Sequence, residues 1–293
     1  MNASTGLTPS KTTPYVLSVV RFLMGCLFIQ HGLEKIWGFA GGRIDRNFTQ
    51  LHGLAGPIEL TGGILLMLGL FIRPAAFILC GEMAVAYFHS WAPNGFWPIS
   101  NGVGGELSVI DCFAFLWLVT AGAGPLSLDY LIKSRKGNGG RDTGLAAILA
   151  SWETYGRSIL RMILAFLISL HGYREVFGWL PAPPIRGKRA PMALDALPDM
   201  LGWVCIIGGL LLFLGLFTRV SALVLGIQAA VAYLTSALPR GAVPMRTGGE
   251  EVLLYAILFS YFVVAGAGAW SLDYLLQKRR QGVKADLATA SSM

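Results

Sequence analysis

Long apolar runs divide the chain into eight segments, each bounded by short polar or glycine-rich stretches. The runs are continuous rather than alternating, a pattern that predicts helices and excludes barrel strands. Each run approaches the ~20 residues that a helix needs to cross a bilayer. We therefore predict an all-α integral membrane protein with eight transmembrane helices, at about Tyr15–Ile36, Leu54–Ile72, Pro74–Trp91, Leu107–Ala123, Tyr155–Phe177, Met200–Phe217, Val220–Leu238 and Val252–Ala267.

Two of the connections between these runs are very short. Arg73 separates the second run from the third, and Arg219 separates the sixth from the seventh, so each pair is predicted to be an antiparallel hairpin. An even number of helices places both termini at one end of the bundle. Lys and Arg are more frequent in the loops at that end, which predicts cytoplasmic termini in the cell inner (plasma) membrane. The polar start, Met1 to Thr13, precedes a run of full span length, which is typical of a signal anchor rather than a cleaved signal peptide.

Composition supports a membrane protein. Apolar residues make up 54% of the chain and charged residues only 13%, whereas soluble domains carry about a quarter charged residues. The net charge of +7 indicates basic loops beside anionic lipid, because no dense basic patch lies on a soluble segment that could bind nucleic acid. The cysteines are isolated and form no CxxC pair, so we interpret them as small buried hydrophobes and expect no thiol relay; they are Cys26, Cys80, Cys112 and Cys205.

The chain also repeats itself. RFLMGCLFIQHG from Arg21 returns as RMILAFLISLHG from Arg161, and later motifs recur in the same order: GGILLMLGLFIR and GGLLLFLGLFTR, then AVAY, GGE, and AGAG followed by SLDYL. Each copy holds four runs, so both copies enter the membrane in the same direction and form two tandem parallel four-helix bundles with pseudo-two-fold symmetry. We predict a polar tail at 1–13, a first unit at 14–136, a cytoplasmic linker at 137–151, a second unit at 152–280 and a polar tail at 281–293.

These motifs resemble the DoxX/DoxD family of four-helix membrane proteins. The resemblance rests on an Arg followed ten residues later by His-Gly, a Gly-Gly run ending in LGLxxR, then GGE and SLD, and it covers nearly the whole chain as two fused copies. It implies the fold directly. It also implies a redox setting, because the family's best-known activity is that of the membrane subunit of a thiosulfate:quinone oxidoreductase, while other members are linked to thiol or oxidant defence.

Ionisable residues inside membrane helices are costly and usually mark a site or a partner. In the first unit they are Arg21, His31, Glu59, Glu82, His89 and Asp111, and their counterparts in the second are Arg161, His171, Cys205, Gln228, Thr235 and Tyr255. The second unit keeps the Arg and His but lacks these acids. We therefore predict that the site lies in the first unit and that the second unit is a structural copy.

The helical rise places most of these groups at one level near the outer ends of the helices. That level is predicted to hold His31, Lys35, Glu59, His89, Glu106 and Asp111, bordered by Trp91 and Trp97. Arg21 and Glu82 lie deeper, at matching depths, and are predicted to form an ion pair because a lone charge there is costly. The GGE acids, Glu106 and Glu250, are interpreted as helix N-terminal caps. Ser127 and Ser271 are predicted to cap the helices that follow AGAG.

Three interpretations of the outer group stay open. It is a hydrogen-bonded network that ties the helices together; or a pocket for a quinone, in which Glu59, His31 and Asp111 exchange protons while His31, Lys35, His89 and Glu106 contact the ligand; or a metal or haem site on His31 and His89. The last interpretation lacks a Glu-x-x-His pair, so no metal ligands are assigned.

The function predicted is that of a membrane component of a redox system, with a quinone as the candidate cofactor and a separate protein as partner. The alternatives are a non-catalytic scaffold that stabilises a larger membrane complex, and a carrier of small solutes. The last is weakened because no run shows the Gly/Pro interruption typical of a midplane transport site. Membrane lipid is an expected partner, nucleic acid is not, and self-association is left open.

Overall fold

The computed structural model describes residues 10–42, 44–45, 47–94, 98, 103–135, 142–179 and 199–291. Helices dominate these residues, and none of them forms a strand. The helices are α1 Thr13–Trp37, α2 Leu51–Leu68, α3 Ile72–Ala86, α4 Val103–Ala121, α5 Leu128–Lys133, α6 Leu145–Ser151, α7 Glu153–Phe177, α8 Asp199–Leu214, α9 Thr218–Ala232, α10 Pro244–Thr247, α11 Glu250–Ala265 and α12 Leu272–Ser291. All eight predicted runs are therefore helical.

Among the described helices, three are long and apolar enough to cross a membrane, at Thr13–Trp37, Leu51–Leu68 and Thr218–Arg240. The apolar helix Met200–Leu214 is shorter. The all-α class and its membrane character are thus confirmed, while the count of eight spans stays a prediction. In both units the third long helix continues into a wider π-helical turn, at Tyr87–Trp91 and at Tyr233–Ala237.

The hairpin turns before Arg73 and Arg219 are as tight as predicted. Phe71 and Phe217 adopt left-handed backbone angles, with φ of 49° and 50°, a conformation that is rare for bulky residues and costs strain. The SLD aspartates hold these turns. The Asp129 carboxylate accepts the Phe71 and Ile72 N–H groups at 2.9 and 3.0 Å, and Asp273 does the same in the second unit. Each SLD motif therefore fixes the start of the neighbouring helix.

The buried arginine of each unit binds backbone carbonyls. Arg21 Nε donates to Ala123 O at 2.9 Å and its Nη2 to Leu126 O at 2.7 Å, while Nη1 donates to the last turn of α2. Arg161 makes the equivalent contacts with the last turn of α8 and with Trp270 O. The predicted ion pair between Arg21 and Glu82 is therefore wrong. A helix end presents unsatisfied carbonyls, and these attract the guanidinium more directly than an acid on another face.

The serine caps after AGAG are present in both units. Ser127 Oγ accepts the Tyr130 N–H at 3.2 Å, and Ser271 Oγ accepts the Tyr274 N–H at 3.1 Å. Both predicted caps are thus confirmed.

The two units pack around a pseudo-two-fold relation. The first helix of each unit contacts the fourth long helix of the other, so α1 packs on α11 and α7 packs on α4. At one end of the α4–α7 contact His171 meets Glu106, and at the other end Gly156 approaches Thr120. Helix α7 is therefore antiparallel to α4, which makes the units parallel, as predicted. Between them Trp117 and Tyr261 pack with ring centroids 4.5 Å apart.

Candidate functional site

A cavity of about 720 Å³ lies within the first unit and is lined by all four of its long helices. Its polar lining includes nearly all of the predicted site residues, namely His31, Lys35, Glu59, Glu82, His89 and Asp111. The π-helical turn after α3 contributes His89, Ser90 and Trp91 to the wall. The structure thus brings His31, Lys35, Glu59, His89 and Asp111 of the predicted outer group to one cavity, and Glu82, which was predicted to lie deeper, lines it as well. Glu106 is not part of the lining, and Trp97 lies outside the described residues.

The rim of the cavity is apolar and exposed. Leu54 and Ile58 of α2 and Ile78 and Val85 of α3 line it, and these side chains are between 36% and 57% exposed on the outer surface of the unit. The carboxylates Glu59, Glu82 and Asp111 lie behind these side chains, whereas the lining residues His89 and Ser90 are exposed like the apolar ones. The cavity therefore combines an apolar entrance between α2 and α3 with a charged interior, as expected for an amphiphilic ligand that enters from lipid.

The carboxylates of the cavity have different partners. Lys35 Nζ lies 2.6 Å from both carboxylate oxygens of Glu59. Both carboxylate oxygens of Glu82 are buried and make no hydrogen bond within the described part of the chain. Asp111 is 6% exposed and lines the same space. An unpartnered buried carboxylate is costly, so a hydrogen-bond donor on a ligand would stabilise Glu82.

The second unit contributes to this site. His31 Nε2 lies 3.0 Å from Glu250 Oε1, and Glu250 belongs to the first turn of α11. The GGE acid, interpreted from the sequence as a helix cap, thus pairs with the histidine of the other unit. The residues that line the cavity belong to the first unit, and Glu250 of α11 contacts His31 from outside that lining, so the location of the site in the first unit stays a prediction.

Glu106 faces away from the cavity. Its carboxylate lies 2.9 Å from His171 Nε2 and accepts the Tyr255 hydroxyl at 2.6 Å. Glu106 and Asp111 are five residues apart on α4, which separates their directions by about 140° around the helix. Glu106 lies in the first turn of α4, as predicted, but it does not line the cavity, and its carboxylate bonds to side chains of the second unit. It forms the inter-unit pair that mirrors His31 and Glu250.

The pair around His171 is part of a larger buried group. Glu251 is 0% exposed and lies 3.5 Å from His171 Nε2, and Arg174 Nη2 lies 3.1 Å from His171 Nδ1. The expectation that the second unit lacks buried acids is thus wrong, because Glu250 and Glu251 are both buried. The doubled acid after Gly-Gly, GGEE, was the available signal in the sequence.

Metal-binding capacity lies in this interface rather than in the cavity. Within the described part of the chain, Glu106, His171 and Glu251 bring their ligand atoms within 4.8 Å of one another. One imidazole and two carboxylates form a donor set that suits zinc or iron. Both carboxylates lie within 3.5 Å of His171 Nε2, and Arg174 adds a positive charge beside the imidazole, so contacts within the group compete with metal binding.

The residues of the second unit that correspond to the cavity acids of the first unit have other hydrogen-bond partners. Gln228 stands where the first unit has Glu82, and it donates to Leu201 O at 3.2 Å and to Cys205 Sγ at 3.1 Å. Cys205 itself replaces Glu59, and Tyr255 replaces Asp111. The Gln228 amide nitrogen thus bonds to neighbouring protein, while its buried Oε1 has no partner among the described residues.

Two cysteines that appear isolated in the sequence come together across α3 and α4. Cys80 Sγ and Cys112 Sγ lie 3.7 Å apart, and all four cysteines are free thiols. Cys26 is half-buried and Cys205 is buried. The interpretation of these residues as packed hydrophobes stays compatible with this geometry.

Comparison with known proteins gives matches to each unit. The model of the DoxX family matches residues 16–90 and 156–237, one segment in each unit. Two relatives from Haemophilus influenzae, both described as "Uncharacterized protein", are 44% and 34% identical. The alignments cover 41% and 40% of this chain but 92% and 83% of the relatives, so each relative is about as long as one unit. No solved structure matches the chain.

Proposed function

The chain belongs to the DoxX family, and on that premise we propose that it is a quinone-binding membrane component of a redox system that acts with a separate partner protein. The observation that carries the proposal is the cavity of the first unit, with its apolar rim and its interior of carboxylates, histidines and a lysine. The proposal includes eight membrane spans, a location in the inner membrane and cytoplasmic termini.

The residues of the cavity suit a quinone. A quinone head group needs hydrogen-bond donors at its carbonyl oxygens, and Lys35, His31 and His89 are candidates on different elements of the wall. Its isoprenoid tail needs an apolar path, which the exposed side chains between α2 and α3 provide. The cavity therefore offers donors for the head group of a quinone and an apolar surface for its tail.

Proton exchange is the task of the chain's own residues in this proposal. Interconversion of quinone and quinol transfers protons together with electrons. Glu59, Asp111 and Glu82 are carboxylates within the same cavity, and histidine is the side chain best suited to exchange protons near neutral pH. The chain supplies no electron carrier of its own in this proposal, so the electrons come from the partner protein.

The test is binding of a short-chain ubiquinone to the purified full-length protein in uncharged detergent, measured by isothermal titration calorimetry. We expect Glu59→Gln to weaken binding at least tenfold, because it breaks the contact with Lys35 and removes a proton-exchanging group. The matched control is Cys205→Ser at the same position of the second unit, which should leave binding unchanged. Equal affinity of wild type and Glu59→Gln, or no binding by either, would refute the proposal.

A non-catalytic scaffold is the second candidate, favoured by the ion pairs that join the units. Under that function the cavity residues serve folding only. Glu59→Gln would then lower the yield of folded protein and leave quinone turnover by the complex from native membranes unchanged. Co-purification from those membranes, followed by an absorption spectrum and quinone analysis, separates the two candidates.

A further inference from the structure

The end of the bundle where α1 and α7 begin, here called the basic face, carries an arginine at the same place in each unit. In the first unit Arg73 Nη1 donates to Thr120 O at 2.8 Å, and its Nη2 lies 2.6 Å from Asp142 Oδ2. Lys133 contacts the other oxygen of Asp142. A carboxylate from the connector between the units therefore occupies this cationic position. Its counterpart in the second unit is Arg219.

The second unit has a cavity of about 580 Å³ at this place, lined by Arg157, Arg219 and Arg280 among others. Within the described part of the chain, no hydrogen bond or ion pair engages the guanidinium groups of Arg219 and Arg280. Arg157 is partly used, since it donates to Ala265 O at 2.8 Å and lies 3.5 Å from Glu153. The cavity therefore has an excess of positive charge.

One acid lines the same cavity and is already bonded. The Asp273 carboxylate accepts two backbone N–H groups at the start of α9. Two other buried polar atoms of the lining have no partner among the described residues, namely Thr218 Oγ1 and Arg157 Nε. Thr218 is 0% exposed and Arg157 is 4% exposed. Both are donors, and buried unpaired donors favour an anionic ligand.

Among the described contacts, no carboxylate pairs with Arg219 in the way that Asp142 pairs with Arg73 in the first unit. Helix α5 ends at Lys133, and Asp142 of the connector contacts Arg73. Helix α12 instead continues from Leu272 to Ser291. Asp286, which follows Asp273 at the same spacing as Asp142 follows Asp129, thus belongs to this helix about 20 Å beyond Asp273.

We propose that this cavity binds the phosphate of an anionic phospholipid head group, at the place that the Asp142 carboxylate takes in the first unit. Guanidinium groups match phosphate oxygens in charge and geometry. The neighbouring apolar side chains Phe217, Val220 and Leu276 are 63%, 61% and 45% exposed, so acyl chains can lie beside them. A free phosphate shares the head-group chemistry but has no use for this apolar surface.

The experiment is native mass spectrometry of the full-length protein in uncharged detergent, titrated with phosphatidylglycerol, with phosphatidylcholine and with inorganic phosphate. We expect one phosphatidylglycerol to bind about tenfold more tightly than phosphatidylcholine, because only the former retains a net negative head group. Arg219→Gln should weaken that binding about tenfold and Arg219→Lys less, whereas Arg73→Gln should leave it unchanged. Asp142→Ala should create a second site, because it frees Arg73 and Lys133.

Several results would overturn the proposal. Equal losses in Arg219→Gln and Arg73→Gln would indicate unspecific attraction to a basic face. Tighter binding in Asp286→Asn would mean that the chain's own carboxylate fills the cavity. Binding of inorganic phosphate that displaces the lipid without any preference for acyl chains would assign the cavity to a soluble anion. If Arg219→Gln fails to fold, Asp142→Ala still tests the proposal, because a second bound lipid in that variant would show that a phosphate can take the place of the Asp142 carboxylate.

Discussion

In the first unit Glu82 faces a cavity with both carboxylate oxygens unpartnered, whereas in the second unit Gln228 stands at the same position and bonds to Leu201 and Cys205. The surrounding scaffold is the same in both units. Each has a buried arginine bound to the carbonyls of a helix end, and each has an SLD aspartate that caps the next helix. The repeat thus retains the contacts that define the bundle, while the described acids that line the 720 Å³ cavity, Glu59, Glu82 and Asp111, belong to the first unit.

The inter-unit contacts differ in a similar way. His31 and Glu250 form a pair at the edge of the cavity, where the imidazole is 21% exposed. His171 and Glu106 form the equivalent pair within a closed group that also holds Glu251. The pair of His31 and Glu250 is therefore accessible to a ligand, whereas the pair of His171 and Glu106 is buried and stabilises the contact between the units.

The largest expected effect separates these two pairs. We expect Glu106→Gln to lower the free energy of unfolding by about 3 kcal/mol, since breaking a fully buried ion pair leaves its partner charge uncompensated. Glu250→Gln should cost about 1 kcal/mol, because solvent reaches His31 and reduces the loss. Unfolding in mixed micelles followed by circular dichroism measures both. Equal losses would mean that the two interfaces are energetically alike, and the double variant checks whether the effects add.

The sequence predicted the parts of the fold that depend on one helix at a time. Long apolar runs located the helices, and the single Arg between runs located the tight turns. Depth along a helix was also predictable, which brought Glu59, His89 and Asp111 to one level. Equal depth does not show whether two side chains face each other, which is why it predicts a pair of Arg21 and Glu82 although Arg21 binds the carbonyls of α2. The inter-unit pairs depend on which helices are neighbours, and one sequence does not contain that information.

Exchanging Glu82 and Gln228, the residues at the same position of the two units, tests whether the carboxylate in the first unit lacks a partner. We expect Glu82→Gln to raise the free energy of unfolding by about 1 kcal/mol, because it removes an unpaired buried carboxylate. Gln228→Glu should lower it by about 2 kcal/mol, since it loses the donor to Leu201 and buries a new acid. Unfolding of both variants by guanidinium chloride in the same micelles shows whether each change raises or lowers the free energy of unfolding. If both exchanges destabilise the protein, Glu82 has a stabilising partner and the comparison fails at this position.

The smallest effect concerns the connector, whose Asp142 carboxylate contacts Arg73 and Lys133 of the first unit. Burial opposes ionisation of Asp142, but hydrogen bonds and charges of Lys133 and Arg73 outweigh it and hold the pKa of this carboxyl below its usual range. A lowered pKa stabilises the folded state above the ordinary aspartate pKa, and this stabilisation is lost as the pH falls through the lowered value. The pair is 23% exposed on the Asp142 side, so its contribution is about 0.5–1 kcal/mol.

The difference in unfolding free energy between wild type and Asp142→Asn isolates that contribution, since other titrating groups are common to both proteins. We expect wild type to be more stable at pH 7 and the difference to shrink toward zero as the pH falls below about 3. Arg219→Gln is the matched control in the second unit, where no Asp142 carboxylate is bound, and should show no such pH-dependent difference. A constant difference between pH 7 and pH 3 would mean that Asp142 stabilises the connector without its charge, and that the basic face of the first unit does not hold a carboxylate as an anion.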